Sequence, residues 1–157
     1  TGSLGHGLSV GCGIDLSFKL KKKNNKIYVL MSDGECNEGS VWEAFLFASA
    51  NKLNNLIIII DYNKWQATER TNKILNFENL KKKLDSFGFL SKEINGHDFY
   101  QITKNLKLKS QKKPIAIIAN TIKGKGVSFM EDDNNWHYRS PNRIEYLEAI
   151  KEIDKKK

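Results

Sequence analysis

Asp33 and Asn63 are the two side chains whose positions indicate chemistry most directly. Each follows a short apolar run, residues 27–31 and 56–60, with a helix-length segment between the runs. This pattern predicts strand, helix and strand, which brings both residues to the carboxyl ends of parallel strands, where open α/β sheets bind ligands. Carboxylate and amide oxygens are hard ligands, so the pair predicts a Mg²⁺ or Ca²⁺ site that also touches a phosphate. A turn Asp and a turn Asn without any ligand are the alternative interpretation.

Three further segments carry residues that suit an anionic ligand, and each has a structural alternative. Residues 2–9 form a glycine-rich turn without the Gly-Lys-Ser/Thr ending of a P-loop, so nucleoside triphosphate binding is not expected. Residues 121–126 combine glycines that let backbone amides approach a phosphate with the charge of Lys123 or Lys125, although a flexible basic loop has the same composition. His137 is placed either to donate to a phosphate or move a substrate proton, or only to pack beside Trp136.

Together and in this order, the motifs resemble those of the transketolase family, in particular the amino-terminal subunit of transketolases that are split into two chains. The resemblance covers nearly the whole chain, from Gly2 to about Pro141. Pyruvate dehydrogenase-type thiamine enzymes share the metal motif but differ at the other segments. The motifs that carry the resemblance are G-S-L-G-H-G at residues 2–7, D-G-E at 33–35 followed by Asn63, N-G-H-D at 95–98, T-I-K-G-K-G-V-S-F-M-E at 121–131 and W-H at 136–137.

The resemblance implies a thiamine diphosphate site that holds a divalent metal, Mg²⁺ or Ca²⁺. Asp33 and Asn63 would be side-chain ligands of the metal, and Trp65 would provide a main-chain carbonyl. Gly34 would approach the diphosphate, and the adjoining Glu35 is predicted to belong to the same cofactor-binding turn.

The resemblance also assigns residues around the rest of the cofactor. Gly2 and Leu4 would lie near it, and Lys123 would face the diphosphate. His137 would face the diphosphate and the substrate entrance, and it is the predicted catalytic residue. Glu38 matches a family position that belongs to an acid network shared at the dimer contact.

The chain departs from the family pattern at three places. Ser32 replaces the first glycine of G-D-G, a small residue that is expected to keep metal binding. Residues 67–69 stand where the family has an apolar residue followed by Asp-Gly, so packing against the thiazolium ring is expected to differ. Tyr138 replaces a common glycine after W-H and is expected to narrow substrate access. His97 is predicted to be a structural residue.

The alternation of apolar runs and helix-like segments predicts an α/β fold, a doubly wound parallel sheet with helices on both faces. The resemblance identifies this as the thiamine diphosphate-binding fold. A capping-box pattern from Ser40 to Glu43 predicts a helix that begins near Val41, and its apolar character nearly all round indicates burial against another subunit. The predicted strands are 27–31, 56–61, 89–94 and 115–119, and the predicted helices are 5–20, 41–52, 77–88, 98–110 and 142–154.

Bulk composition bounds the class of protein. The 157 residues predict one domain. The resemblance implies that it is a diphosphate-binding domain, 1–157, and that it lacks its amino-terminal portion, because the chain begins inside a motif without an initiator Met. The net charge of +8 comes largely from lysines near predicted helix ends, which favours solvated faces over a nucleic-acid site. No apolar run reaches membrane-spanning length, and Cys12 and Cys36 form no disulfide or zinc pattern. These features predict a reducing, cytoplasmic location with no nucleic-acid and no membrane partner.

The activity implied by the resemblance is ketol (two-carbon) transfer between sugar phosphates or related sugars, dependent on thiamine diphosphate and Mg²⁺. In this family the Glu that activates the aminopyrimidine belongs to a separate pyrimidine-binding domain, which this sequence lacks. Activity is therefore expected only with a carboxyl-terminal partner subunit, in a homo- or heteromeric assembly through helix 41–52. Two alternatives stay open: a non-catalytic thiamine diphosphate-binding scaffold subunit, and an enzyme like 1-deoxyxylulose-5-phosphate synthase, which fits residues 2–9 less well.

Overall fold

The computed structural model describes residues 2–76 and 78–155, and its centre is a parallel sheet. All four predicted strands are confirmed within one residue or two at their ends. The strands are β1 Ile27–Ser32, β2 Leu56–Tyr62, β3 Leu90–Asn95 and β4 Ile115–Asn120. Their order across the sheet is β1-β2-β4-β3, and each neighbouring pair is parallel. The carboxyl ends of the central strands β2 and β4 therefore lie side by side, with Asn63 and Thr121 just beyond them.

Helices connect and cover these strands within the described residues. The short helix α3 has no counterpart among the sequence predictions, and the predicted start of the next helix, at residue 77, lies outside the described residues. The helices are α1 His6–Leu20, α2 Gly39–Ala50, α3 Thr71–Ile74, α4 Leu80–Ser86, α5 Phe99–Leu106 and α6 Arg143–Asp154, with 3₁₀ turns at Gly34–Asn37, Ser128–Met130 and Asn134–His137.

Helices pack on both faces of the sheet, which confirms the predicted doubly wound α/β fold. One face carries α1, α2 and α4, and the side chains buried there include Leu8, Phe45 and Leu84. The opposite face carries α5, whose Ile102 and Leu106 pack on isoleucines of β2 and β4. Alternation of side chains along each strand supplies both apolar faces, because neighbouring residues point to opposite sides of a sheet.

Phe45 anchors α2 to the sheet. It is fully buried. Its ring packs in a T-shaped arrangement against the rings of Trp42 and Phe89, at centroid distances of 5.5 and 5.4 Å. Truncating a buried aromatic side chain of this kind to alanine costs about 3–5 kcal/mol of folding stability. The same helix exposes Leu46 and Phe47, so only one side of α2 is buried against the rest of this chain.

The capping-box prediction for α2 is wrong. The helix begins at Gly39 with Glu38 as its N-cap, and no side chain caps it. The Ser40 hydroxyl donates instead to the Gly5 carbonyl oxygen at 3.3 Å, which ties α2 to the start of α1. Helix α5 is capped by the Asp98 carboxylate, which accepts from the Gln101 amide, and it ends at Leu106, before the predicted end at residue 110.

Both cysteines are free and buried. Burial, with a smaller contribution from the charge of Asp15, raises the pKa of the Cys12 thiol to about 11. Burial likewise raises the pKa of Cys36 to about 12, with smaller contributions from Asp33 and Glu35. In the part of the chain that the structure describes, no helix has the length and apolarity needed to cross a bilayer.

Candidate metal and anion site at the carboxyl edge of the sheet

Asp33 follows β1 directly and is fully buried. Its Oδ1 accepts from the Gly34 amide at 3.0 Å, which caps the 3₁₀ turn that begins there. Its Oδ2 accepts from the Lys64 amide at 3.0 Å and from the Thr71 hydroxyl at 2.8 Å. The carboxylate is therefore fixed from three directions, and two of its three donors come from the segment that follows β2.

The electrostatic environment of Asp33 disfavours an isolated negative charge. Burial raises the pKa of its carboxyl, the hydrogen bonds from Thr71, Lys64 and Gly34 oppose that rise, and the charge of Asp61 adds to it. Among the described residues no cation forms an ion pair with Asp33. Three hydrogen bonds occupy three of roughly four lone-pair positions of a carboxylate, so one acceptor position is left for a cation.

Asn63 is held by the residues around it. Its Oδ1 accepts from the Trp65 amide at 2.9 Å, and its Nδ2 donates to Asp61 Oδ2 at 3.3 Å. The other oxygen of Asp61 accepts from the Thr121 hydroxyl, which connects the end of β2 to the end of β4. The sequence predictions assigned no role to Asp61 and included Thr121 only as the first residue of segment 121–126. The signal that could have found Asp61 is its place two residues before Asn63 at the same strand end.

The donor chemistry of this cluster fits a hard divalent cation. Asp33 provides a carboxylate oxygen and Asn63 an amide oxygen. The backbone amide of Lys64, the residue after Asn63, donates to Asp33 and so connects the two strand ends. Oxygen donors of this kind are those that Mg²⁺ and Ca²⁺ take. The described residues hold no group of three His, Cys, Asp or Glu side chains suited to a metal, so the remaining ligands would have to be carbonyl, water or phosphate oxygens.

Gln66 adds an unsatisfied donor beside Gly34. The buried Nε2 of Gln66 has no hydrogen-bond partner among the described residues. A Cβ atom built on Gly34 would lie 3.3 Å from Gln66 Cγ, so the two residues are in close contact. A buried N–H group without a partner is costly, and an anionic oxygen at Gly34 would satisfy it. No sequence pattern singled out Gln66.

The glycine-rich turn reaches the same edge through Gly5. The Gly5 amide donates to Glu35 Oε2 at 3.0 Å, while the other oxygen of Glu35 accepts from the Ser32 amide at 3.2 Å. Glu35 therefore braces the turn against the end of β1 with both carboxylate oxygens. Gly5 has φ +78°, and a Cβ there would lie 2.8 Å from the side chain of Glu38, so only glycine fits. Gly2 and Leu4, just before it, are exposed.

Lys123 and His137 meet on the other side of the site. The Lys123 ammonium lies 3.5 Å from His137 Nδ1, and His137 is exposed. The Lys123 segment is held at its start by His97, whose Nε2 accepts from the Ile122 amide at 2.8 Å. His97 therefore supports this segment, and its purely structural role stays a prediction, because the same side chain also lines a cavity at this edge of the sheet.

A cavity of about 710 Å³ opens at this edge and runs along the sheet face that carries α5. Asn63 and Lys123 both line it, with Asp61 and Thr121 beside them and isoleucines of β2 and β4 as its apolar wall. A volume of this size, apolar with a few convergent polar groups, is typical of small-molecule sites. The structure thus brings Asn63 and Lys123 to one cavity, while Asp33 and His137 lie outside its lining.

Comparison with known proteins identifies the family of this chain. The family model described as transketolase, thiamine diphosphate binding domain, matches residues 1–152. The chain is 40% identical over 158 residues to an apulose-4-phosphate transketolase subunit from Phocaeicola vulgatus, covering 99% of this chain and 56% of that protein. It is 38% identical to the 6-deoxy-6-sulfo-D-fructose transketolase subunit SqwG of a Clostridium strain, covering 99% of this chain and 57% of that protein.

The solved structure of transketolase from Campylobacter jejuni superposes with a TM-score of 0.90 at 30% identity. That match covers 96% of this chain and 25% of the other chain. The chain also spans little more than half the length of the transketolase subunits that it matches. By family model, by sequence identity and by fold, this chain belongs to the transketolase family and matches its thiamine diphosphate-binding domain.

Proposed function

We propose that this chain binds thiamine diphosphate through a divalent cation, Mg²⁺ in the first place, and serves as the amino-terminal subunit of a two-chain transketolase. The observation that carries the proposal is the pairing of a buried Asp33 carboxylate with Asn63 at adjoining strand ends, in a chain of this family. A bound cation would offset the charge that burial disfavours at Asp33.

The metal would be held by the side chains of Asp33 and Asn63 and by the main-chain carbonyl of Trp65. Gly34 would lie against the diphosphate, and the unsatisfied Nε2 of Gln66 beside it is a further donor for a phosphate oxygen. Glu35 would act through the Gly5 amide that it binds, holding the glycine-rich turn against the cofactor.

The remaining predicted residues would act on the outer side of the cofactor. Gly2 and Leu4 would lie along it, and the ammonium of Lys123 would neutralise diphosphate charge. His137, exposed and 3.5 Å from that ammonium, would donate a proton to an oxygen of the substrate or the diphosphate. Thiamine diphosphate, when bound, supplies the stabilised carbanion that carries a two-carbon unit between sugars.

Activity would require a partner subunit that brings the pyrimidine-binding domain. Several relatives are themselves named as single subunits of a transketolase, which supports a partner of this kind. Helices α1 and α2 offer a surface for it, because Val10 and Ile14 on α1 and Leu46 and Phe47 on α2 are exposed apolar side chains. Exposed apolar side chains on two helices that pack together are typical of an interface between protein chains.

The substrates would be sugar phosphates or related anionic sugars. The matched relatives are named for apulose-4-phosphate and for 6-deoxy-6-sulfo-D-fructose, each an anionic sugar. A non-catalytic scaffold protein is the second candidate function, favoured by the departures at Ala67 and Tyr138 near the proposed substrate entrance. A reducing, cytoplasmic location stays a prediction.

Calorimetric titration of thiamine diphosphate with and without Mg²⁺ tests the metal site, on the protein purified together with its partner subunit. The expected result is Mg²⁺-dependent binding that Asp33→Ala abolishes. Asp15→Ala is the matched control, because Asp15 is also buried and its pKa is raised by burial, but it lies near Asn55 at the opposite edge of the sheet. Binding that survives Asp33→Ala, or that ignores Mg²⁺, would refute the proposed metal site.

Product analysis separates the two candidate functions, and it also tests the alternative of a synthase like 1-deoxyxylulose-5-phosphate synthase. Transfer of a two-carbon unit from a ketose phosphate to an aldose phosphate supports a transketolase, whereas cofactor binding without turnover supports a scaffold. Decarboxylation of pyruvate with formation of a deoxyketose phosphate would instead assign a synthase of the 1-deoxyxylulose-5-phosphate type.

A further inference from the structure

Two loops follow the central strands at the proposed cofactor site. The first loop is residues 63–70, after β2, and contains Asn63 and Trp65. The second loop is residues 121–138, after β4, and contains Lys123 and His137. Because β2 and β4 are neighbours, the two loops leave the sheet side by side, although they are far apart along the chain.

Asp132 of the second loop binds two side chains of the first loop. Its Oδ1 accepts from the Trp65 indole N–H at 2.9 Å and from one Arg70 nitrogen at 2.8 Å, and its Oδ2 accepts from the second Arg70 nitrogen. The Arg70 guanidinium also lies 3.8 Å from the centre of the Trp65 ring. We name Trp65, Arg70 and Asp132 the Asp132 cluster. A bidentate, stacked arginine fixes orientation as well as distance.

The backbone of Asp132 holds the other proposed cofactor residue. Asp132 has φ +60°, a left-handed conformation that Asp and Asn tolerate better than most residues. In that conformation its amide donates to the Lys123 carbonyl oxygen at 2.8 Å. One residue therefore contacts both Trp65, whose carbonyl is the proposed metal ligand, and the peptide of Lys123.

A second contact joins the same loops at Ala67. The Ala67 carbonyl oxygen accepts from the Asn134 side-chain amide at 2.9 Å and from the Tyr138 hydroxyl. Ala67 and Tyr138 are two of the positions where this chain departs from the family pattern, and the structure brings the two departures into contact. The first loop is thus connected to the second at several points along its length.

We propose that Asp132 is a positioning residue that sets the first loop against the second, so that the Trp65 carbonyl and the Lys123 ammonium face one metal–diphosphate group at a fixed spacing. This inference rests on the proposed function. Asp132 itself does not touch the cofactor in this scheme. It acts as an outer partner of the ligands, a class of residue whose loss typically weakens metal binding about 10- to 100-fold.

Exposure separates this role from a purely structural one. The side chains of Arg70 and Asp132 are 30% and 51% exposed, and ion pairs this accessible to solvent contribute little to folding stability. Loss of the cluster is therefore expected to change cofactor affinity while the thermal midpoint barely moves. A residue that only stabilised the fold would show the reverse.

The test compares wild type, Asp132→Asn and Asp132→Ala, each purified with the partner subunit, by titration with thiamine diphosphate at fixed Mg²⁺ and with Mg²⁺ at fixed cofactor. Asp132→Asn keeps an acceptor and tolerates the left-handed backbone, so it separates charge from conformation. We expect both variants to bind thiamine diphosphate and Mg²⁺ about tenfold more weakly than wild type, and Asp132→Ala to bind them more weakly than Asp132→Asn. The matched control is Glu145→Gln, which weakens an arginine–carboxylate pair of the same geometry elsewhere and is expected to leave affinity within about twofold.

A second readout needs no cofactor. In wild type the Trp65 indole N–H is hydrogen bonded to Asp132, so its proton signal should move and exchange faster in Asp132→Ala, with no such change in Glu145→Gln. Wild-type affinity for both Asp132 variants would overturn the inference and leave the proposed function intact. Wild type that fails to bind thiamine diphosphate with Mg²⁺ would overturn the proposed function and the inference with it.

Discussion

An arginine that stacks on a tryptophan and also pairs with a carboxylate occurs twice among the described residues. In one case the partners are far apart along the chain, and in the other they are close. In the Asp132 cluster, Arg70 stacks on Trp65 and forks onto Asp132, 62 residues away. In the second combination, which we name the Glu145 cluster, Arg139 stacks on Trp136 at 3.8 Å and forks onto Glu145 at 2.9 and 2.8 Å.

The two clusters do different work because of what their carboxylates join. Glu145 lies in the first turn of α6 and also accepts from the Asn142 amide, so its cluster completes the capping of a helix close to Arg139 in the chain. Asp132 instead joins two loops that the sheet alone would leave independent. Similar arginine–carboxylate pairs thus serve a local helix end in one place and, in the proposed scheme, the spacing of a cofactor site in the other.

Charge reversal should produce the largest difference between the clusters. Asp132→Lys places two cations together between the loops, and we expect thiamine diphosphate affinity to fall by about 100-fold, the upper end for an outer partner of a metal ligand. Glu145→Lys, measured by the same titration, should change affinity less than about threefold. Among the described residues its cluster reaches the second loop only through Trp136 and forms no hydrogen bond or ion pair with the first loop or with Lys123. Equal losses in the two variants would mean that net charge, and not loop spacing, controls binding.

Arginine-to-lysine exchange should give a smaller effect that isolates geometry from charge. Arg70→Lys keeps the cation but loses the fork and the stacking on Trp65, so we expect affinity to weaken by about fivefold. Arg139→Lys should leave affinity unchanged. Calorimetry on both variants measures this, and an unaffected Arg70→Lys would show that charge alone suffices at the first loop.

The cap of α6 should respond in stability and not in binding. Asn142 accepts from the Ile144 and Glu145 amides and completes a capping box, so Asn142→Ala should cost about 1 kcal/mol. For a chain of this size that lowers the thermal midpoint by about 2–4 °C, measured by scanning calorimetry. Cofactor affinity should stay at the wild-type value, and a loss of affinity would connect α6 to the cofactor site.

Lowering the pH should have the smallest effect on stability, and the effect should be the same for both clusters. Hydrogen bonds from Arg70, and then from Trp65, lower the pKa of Asp132, and Arg139 lowers the pKa of Glu145. A lowered pKa in the folded state adds stability above the unfolded pKa, which is lost only as pH falls through the folded value. The difference in denaturation midpoint between wild type and Asp132→Asn, which is expected to be small, should therefore hold down to about pH 4 and then decline. A decline near neutral pH would contradict the hydrogen bonding at Asp132.

The sequence was informative where the relevant geometry is local. Two apolar runs sufficed to place Asp33 and Asn63 at the sheet rim, because parallel strands end together at one edge. The helix predicted over 142–154 is likewise confirmed as α6, and the capping box from Asn142 to Glu145 was found only in the structure. The Ser40 prediction failed on the same kind of pattern, because the Ser40 hydroxyl bonds to Gly5 of another segment.

The loop contacts had no comparable signal. Asp132 depends on a left-handed backbone and on partners far away in the chain, and neither is encoded in a short window. Gln66 has no periodicity or motif to mark it, and its importance comes only from an amide left without a partner among the described residues. The predicted roles of Gly2, Leu4, Lys123 and His137 came from family resemblance, which supplies residue positions but not the contacts between loops.

The two buried cysteines have a practical consequence for kinetic experiments. Their raised pKa values mean that almost no thiolate exists at neutral pH, and burial keeps alkylating reagents away. A cysteine introduced at exposed Thr68 would therefore be the reactive thiol of the folded chain, ready to carry a fluorophore on the first loop. Alkylation of Cys12 and Cys36 themselves requires the core to open, so the rate of that alkylation measures how often the protein unfolds.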